Sequence, residues 1–350
     1  MASMSEPFTF KFHRVDAAGR QATTFRKKGS IDDQQLVLDK EIIPVSSLRA
    51  ATSRLDRLIL VVDSKGGAVS RVFLVNKKAL RQVVPAINVR ISAGDCAKRA
   101  EALAKAGRAH EFRLEVCPGC LCSIDLSRHP RSPEVYCPYC DTIWAVPETD
   151  PQRRREEPAY RRCDSCGLYS KPSSFTSGYI IFLFVAVMYK FHTREICNAC
   201  MRGEAWKMVA TNLLGLIGEI AAVPNLIRAY AGGSARSQVF SGLDSGNALV
   251  QGRKFDRALT AYDTILARLR HCAGVRYNYG LALMRADRHE QAGLMLAQAL
   301  QDCANYAPAA DALGACYKRL GMTDELESLK REWNDEPNQP TESDVAHAAT

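Results

Sequence analysis

The sequence predicts a multidomain α+β chain: an antiparallel β domain with a capping helix, two ribbons built on cysteine pairs, an apolar helical segment and an α-helical repeat solenoid. Three observations lead there. Short apolar stretches separated by turn residues fill residues 8–107 and end in a helical phrase; eight of the thirteen cysteines stand in four Cys-x-x-Cys pairs; and Gly246, Gly280 and Gly314 are spaced 34 residues apart. Of the 350 residues 47% are hydrophobic and 24% charged, the composition of folded protein with room for two or three domains.

Residues 1–108 hold the apolar stretches "FTFKFHRV", "QLVLDKEIIPVSSL", "RLILVVD" and "RVFLVN", then the helical "SAGDCAKRAEALAKAG". Several strands followed by one helix predict a curved antiparallel sheet with a helical cap. The order, with Ile43 to Val45 as an Ile-Pro-Val edge before a long loop, loosely resembles a pleckstrin-homology-like domain. That resemblance implies phospholipid binding through basic loops, with Lys11, Arg26, Lys27 and Lys28 as candidates; a packing or dimerisation module is the other reading. Met1 to Pro7 lack the basic and apolar regions of a secretory signal, so a cytoplasmic protein is expected.

Cys117-Pro-Gly-Cys120 and Cys137-Pro-Tyr-Cys140 lie at ribbon distance within residues 109–148, each flanked by strand-like residues. Zinc takes four soft ligands in a tetrahedron, and two such knuckles supply four thiolates. A redox dithiol would instead cap a helix, and no helical pattern follows either pair. Cys122 reads as a bystander, and Cys96, Cys272, Cys303 and Cys316 as small buried hydrophobes. The charged, proline-bearing stretch 149–162 reads as a linker with a basic bias.

The second set, Cys163 and Cys166 with Cys197 and Cys200 in residues 163–203, encloses the apolar "GYIIFLFVAVMYKF". As a helix its uninterrupted part, residues 179–189, would reach only ~16 Å against a hydrocarbon core of roughly 30 Å. Its Ile, Val, Phe and Tyr content suits a buried strand or hairpin, so a second, enlarged ribbon is expected, and with it two zinc ions per chain. The alternative makes residues 179–189 part of a membrane span and the chain an integral membrane protein.

Residues 204–235 form an apolar segment. On a helix, Val209, Leu213, Leu216, Ile217, Ile220 and Val223 share a face, while Pro224 would kink it. Glu219 would cost about 2.5 to 3.5 kcal/mol at a bilayer centre, so an interfacial helix or docked hairpin is expected over a crossing. Arg202, Lys207, Arg228 and Arg236 are placed to meet anionic headgroups. The order of the two cysteine pairs, Trp206, Leu214 to Gly218 and Pro224 resembles an uncharacterised bacterial zinc-ribbon module followed by an apolar segment, which implies membrane association; Leu216-Ile217 stand where that module carries paired tryptophans.

Residues 240–333 repeat a phrase three times around the spaced glycines, and their period resembles that of tetratricopeptide repeats. Each glycine lets one helix approach the next, Ala258 and Ala292 make a second close contact, and Tyr262 and Leu296 fill the interface. Leu326 stands where the third repeat should have alanine, which suits a terminal cap. The resemblance implies a groove for peptides or proteins, lined by Asn247, Gln251, Tyr277, Arg285, Lys318 and Arg319. Its basic end suits an acidic ligand, although Leu243 replaces the lysine of chaperone-binding repeats. Residues 334–350 are polar and expected to be disordered.

Several binding modules without a catalytic residue set predict a non-enzymatic scaffold or adaptor, recruiting protein through its repeats at the cytoplasmic face of a membrane. The formal charge of +9 keeps nucleic acid in play as an alternative partner.

Overall fold

The computed structural model describes residues 7–16, 20–54, 56–64, 67–146, 151–183, 186–213, 227, 230 and 238–334. The chain divides into two compact units, the first running to Arg128 and the second beginning at His129.

In the first unit seven antiparallel strands, β1 (Phe8–Arg14), β2 (Lys27–Ile31), β3 (Gln35–Leu38), β4 (Glu41–Pro44), β5 (Leu48–Arg54), β6 (Arg57–Ser64) and β7 (Gly67–Val75), form two meanders, β1–β4 and β5–β7, joined by the pairing of β1 with β7. Their spatial order is β4-β3-β2-β1-β7-β6-β5. Phe12, Ile31, Leu36, Leu38, Leu58 and Leu60 alternate inward and are fully buried, as the two-residue period of a strand requires. They pack on Leu80, Val83, Ile87 and Ile91 of helix α1 (Lys77–Lys105).

Helix α1 begins well before the expected "SAGDC" phrase. Its start is fixed by Asn76, whose side chain accepts from the Lys78 amide at 2.9 Å, and Pro85 lies inside it. Asn88 of α1 closes a two-way bond with β5, accepting from Ala51 N–H at 3.0 Å and donating to its carbonyl at 2.9 Å. A short hairpin, β8 (Leu114–Val116) with β9 (Ser123–Asp125), follows, tied to α1 by the Ser123 amide donating to Ser92 Oγ at 3.0 Å.

The second unit begins with the hairpin β10 (Glu134–Tyr136) and β11 (Ile143–Ala145). Within the stretch read as a linker, α2 (Pro151–Glu156), exposed or half-buried throughout, leads into a 3-10 turn over Glu157–Ala159 that buries Glu157. Arg153 is drawn into the core because Glu134 and Glu157 are buried beside it and need a cation. It pairs with Glu134 and, at 2.5 Å, with Glu157, and donates to the His271 carbonyl at 3.0 Å. Burial pushes the Glu157 carboxyl up to about 7 despite Arg153, and that of Glu134 up as well.

Strands β12 (Arg161–Arg162) and β13 (Tyr169–Ser170) flank the Cys163 knuckle. The apolar stretch between the second cysteine pairs is a long hairpin, β14 (Ser173–Leu183) with β15 (Ala186–Ile196), registered from Ser173 opposite Ile196 to Leu183 opposite Ala186. Residues 184–185 lie outside the described residues. Helix α3 (Asn198–Leu213) starts inside the last cysteine pair, earlier than the apolar segment was expected to begin. The rest of that segment, residues 214–235 apart from Ile227 and Tyr230, lies outside the described residues, as does the tail 335–350. No helix among the described residues is long and apolar enough to cross a membrane.

Three helix pairs complete the unit: α4 (Leu243–Gln251) with α5 (Phe255–Leu266), α6 (Ala273–Arg285) with α7 (His289–Asp302), and α8 (Ala307–Leu320) with α9 (Thr323–Asn334). The spaced glycines act as the sequence predicts. A Cβ on Gly246 would stand 2.6 Å from the Tyr262 ring, and one on Gly280 2.7 Å from Leu296; on Gly314 the nearest atom, of Leu326, is at 3.5 Å, a looser third pair. Ala258 and Ala292 are fully buried.

Candidate metal centre and repeat face

Three of the four cysteine pairs fold into one local shape. The amide four residues after the leading cysteine returns to that cysteine's carbonyl, at 2.9 Å each for Leu121 to Cys117, Asp141 to Cys137 and Gly167 to Cys163. The leading cysteine's own amide closes on the carbonyl five residues on, at 3.0 Å to Cys122, 2.9 Å to Thr142 and 3.0 Å to Leu168. This turn forces a left-handed backbone at its fifth residue, with φ of 65° at Leu121, 60° at Asp141 and 72° at Gly167. Only the last is the residue that takes such a φ without strain. In the fourth pair Cys197 stands just before α3 and Cys200 in its first turn, the Met201 amide bonding the Cys197 carbonyl at 2.9 Å as α-helical geometry dictates.

The knuckles bring the predicted ligands together. The Sγ atoms of Cys117, Cys120, Cys137 and Cys140 all lie within 4.8 Å of one another, and so do those of Cys163, Cys166, Cys197 and Cys200. Cys122 is buried but belongs to neither set, and Cys96, Cys272, Cys303 and Cys316 are buried singly.

In the second set backbone amides point at the sulfurs. Ser165 and Cys197 donate to Cys163 Sγ at 3.4 and 3.2 Å, and Cys200 to Cys197 Sγ at 3.5 Å. Hydrogen bonds from Cys166, Cys197 and Cys200 hold the Cys163 thiol far below its usual range, while the same crowding pushes Cys197 up. Four sulfurs this close cannot all ionise unless a cation sits among them. The donor set and the N–H···S bonds therefore fit a metal ion.

The second centre does not stand alone. Gln251, at the end of α4, donates its amide to Cys197 Sγ at 3.4 Å and Cys200 Sγ at 3.2 Å. Arg285, at the end of α6, donates to the Cys166 carbonyl at 2.7 Å, and Asn198 of α3 donates to Asp244 of α4 at 3.0 Å. Two residues past the knuckle, Tyr169 is gripped by the repeats. Its amide donates to Asn278 Oδ1 at 2.7 Å, and its carbonyl accepts from Asn278 Nδ2 at 2.7 Å and Asn247 Nδ2 at 3.0 Å. Asn278 also donates to Asn247 Oδ1 at 3.0 Å, which accepts from Tyr262 at 2.7 Å.

The β10 strand repeats the arrangement. Asn305 accepts from the Tyr136 amide at 2.9 Å and donates to its carbonyl at 2.8 Å. In both places a side-chain amide satisfies the outward edge of a short strand, which would otherwise bury an unpaired N–H and C=O.

Three of the six residues predicted to line the groove thus face the chain's own ribbons, and a fourth is buried within the repeats. Asn247, Gln251 and Arg285 make the bonds above, and Tyr277 is buried against Tyr306 at 5.2 Å between ring centroids. Lys318 and Arg319 stand exposed near the end of α8. Sequence reasoning missed Asn278, Asn305 and Gly274. A Cβ on Gly274 would stand 2.5 Å from the Tyr169 ring, so this glycine makes the seat for that ring. The available signal was the asparagines themselves, polar residues in or next to apolar helical phrases.

Fold and site together define a class: a helical-repeat protein whose repeats hold two short strands beside four-cysteine centres. No protein-family model matches the chain, and no curated protein matches it. Among solved structures it is similar to the second TPR of Spaghetti (RPAP3) bound to HSP90 peptide SRMEEVD, at 24% identity and a TM-score of 0.26, over 28% of this chain and 89% of that one. It is similar to MamA (MSR-1) at 22% identity and a TM-score of 0.26, over 33% of this chain and 64% of that one. MamA (AMB-1) gives 21% and 0.26, over 39% of this chain and 75% of that one. The repeat assignment rests on this chain's own 34-residue period and helix pairs.

Proposed function

We propose that this chain is a non-enzymatic, zinc-stabilised scaffold or adaptor that binds protein or peptide through its repeats. The observation that carries the reading is the two-way amide grip on Tyr169 by Asn278, at 2.7 Å in each direction, which is the chemistry of an extended-segment receptor. The all-cysteine donor sets suit zinc in a structural role, two ions per chain, since a catalytic zinc keeps a position open to solvent.

The exposed Lys318 and Arg319 favour an acidic ligand at that end of the repeat face. The nucleic-acid alternative is weakened because Arg153 and Arg162, from the basic run, are committed to Glu134, Glu157 and Asp141. Placement at the cytoplasmic face of a membrane is supported by an exposed cluster: Trp206 donates to the Tyr230 hydroxyl at 3.0 Å, and Arg202 lies 5.0 Å over the Tyr230 ring. The seven-strand antiparallel sheet with its long helix supports the pleckstrin-homology-like reading of the first unit.

Panning random phage-displayed peptides against the metal-loaded full chain tests the proposal. An acidic consensus that the double variant Lys318→Glu, Arg319→Glu fails to retain is expected. No consensus, together with salt-sensitive retention of DNA or RNA, would favour the nucleic-acid reading.

A further inference from the structure

The segment that fills the repeat face belongs to the metal-bearing loop itself. Leu168, Tyr169 and Ser170 directly follow the Cys163 knuckle, and their hold on the repeats is compact: the amides of Asn247 and Asn278, and the ring seat over Gly274 lined by Tyr160 and Phe240 at 5.8 and 6.0 Å between centroids. The strand β13, Tyr169–Ser170, pairs among the described residues with the two residues of β12. Such a short strand has little intrinsic stability, so the knuckle must present it.

The knuckle in turn depends on the cation, because the four sulfurs within 4.8 Å come from two separate cysteine pairs that a shared metal ion would cross-link. Gln251 reaches the same centre through the Cys197 and Cys200 sulfurs and Arg285 the knuckle through the Cys166 carbonyl, so opening the centre removes their contacts too. The fit is also incomplete. Ser170 is fully buried, yet its hydroxyl has no hydrogen-bond partner among the described residues. A buried hydroxyl left unpaired disfavours the occupied state, so a different occupant can compete.

We propose that the metal of the second centre latches the repeat face: with the ion bound, residues 168–170 occupy the Asn278 and Gly274 seat, and with the ion removed they leave it open to an extended, tyrosine-bearing segment of another protein. This rests on the reading of the repeats as a protein receptor and adds its regulation. The cis segment is tethered, so it competes at high effective concentration until the latch opens.

The test uses the full chain and a fluorescein-labelled hexapeptide copying residues 167–172, Gly-Leu-Tyr-Ser-Lys-Pro. Binding is followed by fluorescence anisotropy, and helical content by circular dichroism, before and after removal of metal by a chelator. At least tenfold tighter binding after chelation is expected, with the helical signal retained. Stripping only the first centre, by Cys117→Ser with Cys120→Ser, is expected to leave binding weak.

Tyr169→Ala, which empties the ring seat over Gly274 without touching a ligand and leaves the segment held by its backbone alone, is expected to let the peptide displace it with both metals in place. Equal binding by loaded and stripped chains overturns the latch, as does loss of the helical signal on chelation, which would make the metal a fold determinant. If the latch fails but Tyr169→Ala binds, the receptor reading stands. If Tyr169→Ala keeps its metals and helices and does not bind, the seat is no receptor and both fall.

Discussion

Replacing Asn278 by alanine removes the amide that satisfies both backbone groups of Tyr169, and the magnitude can be worked bond by bond. The Tyr169 N–H loses its acceptor at 2.7 Å and is left unpaired in a buried site, which costs about 1–3 kcal/mol. The Tyr169 carbonyl keeps Asn247 Nδ2 at 3.0 Å, so its loss is only the net worth of one bond, about 1 kcal/mol. Asn247 Oδ1 loses one donor but retains Tyr262, a smaller effect. The sum is about 2–4 kcal/mol.

Asn198→Ala is the control. Its bond to Asp244 is part-buried, and its loss should cost about 0.5–1.5 kcal/mol. Urea unfolding of metal-loaded protein, comparing midpoints at constant slope, reads both. A change below about 0.5 kcal/mol for Asn278→Ala would refute the reasoning, because an orphaned buried N–H cannot be that cheap.

Three further expectations follow from other contacts. Gly274→Ala gains about 1 kcal/mol of helix propensity but drives a Cβ to 2.5 Å from the Tyr169 ring, so a net loss of about 1–2 kcal/mol is expected in the same unfolding assay. Leu121 is exposed and held at φ 65°, so Leu121→Gly should relieve strain and raise stability by about 0.5–1 kcal/mol, read as a shift in melting temperature. Burial raises the folded Glu157 carboxyl from 4.5 to about 7, so the folded state holds the extra proton and stability falls as pH rises through that window. The stability of Glu157→Gln relative to the natural chain should therefore rise between pH 5 and pH 8, measured by unfolding at each pH with metal saturating.

Much of this was legible in the sequence because its signals are local. The cysteine spacing identified eight candidate ligands that close into two sets, the short apolar run announced a hairpin, and the 34-residue glycine period located the helix contacts at Tyr262 and Leu296. Strands β2 and β5 were missed because "KKGSI" and "LRAATSR" carry little alternating hydrophobicity, and their place in the sheet comes from pairing with β1, β3 and β6. The early part of α1 was missed because Pro85 argues against a helix locally, whereas burial of Leu80, Val83 and Ile87 against the sheet outweighs it. The occupation of the repeat face by Tyr136 and Tyr169 is a long-range fact. Asn305 and Asn278 meet strands more than a hundred residues away, and no spacing rule connects them.

The metal centres are tested most directly by zinc per chain in purified protein, with each cysteine mapped by alkylation and mass spectrometry before and after chelation. Two zinc ions, with the thiols of both four-cysteine sets protected until the chelator is added, is the predicted result. One zinc or none, with Cys163, Cys166, Cys197 and Cys200 alkylated in the untreated protein, would contradict it.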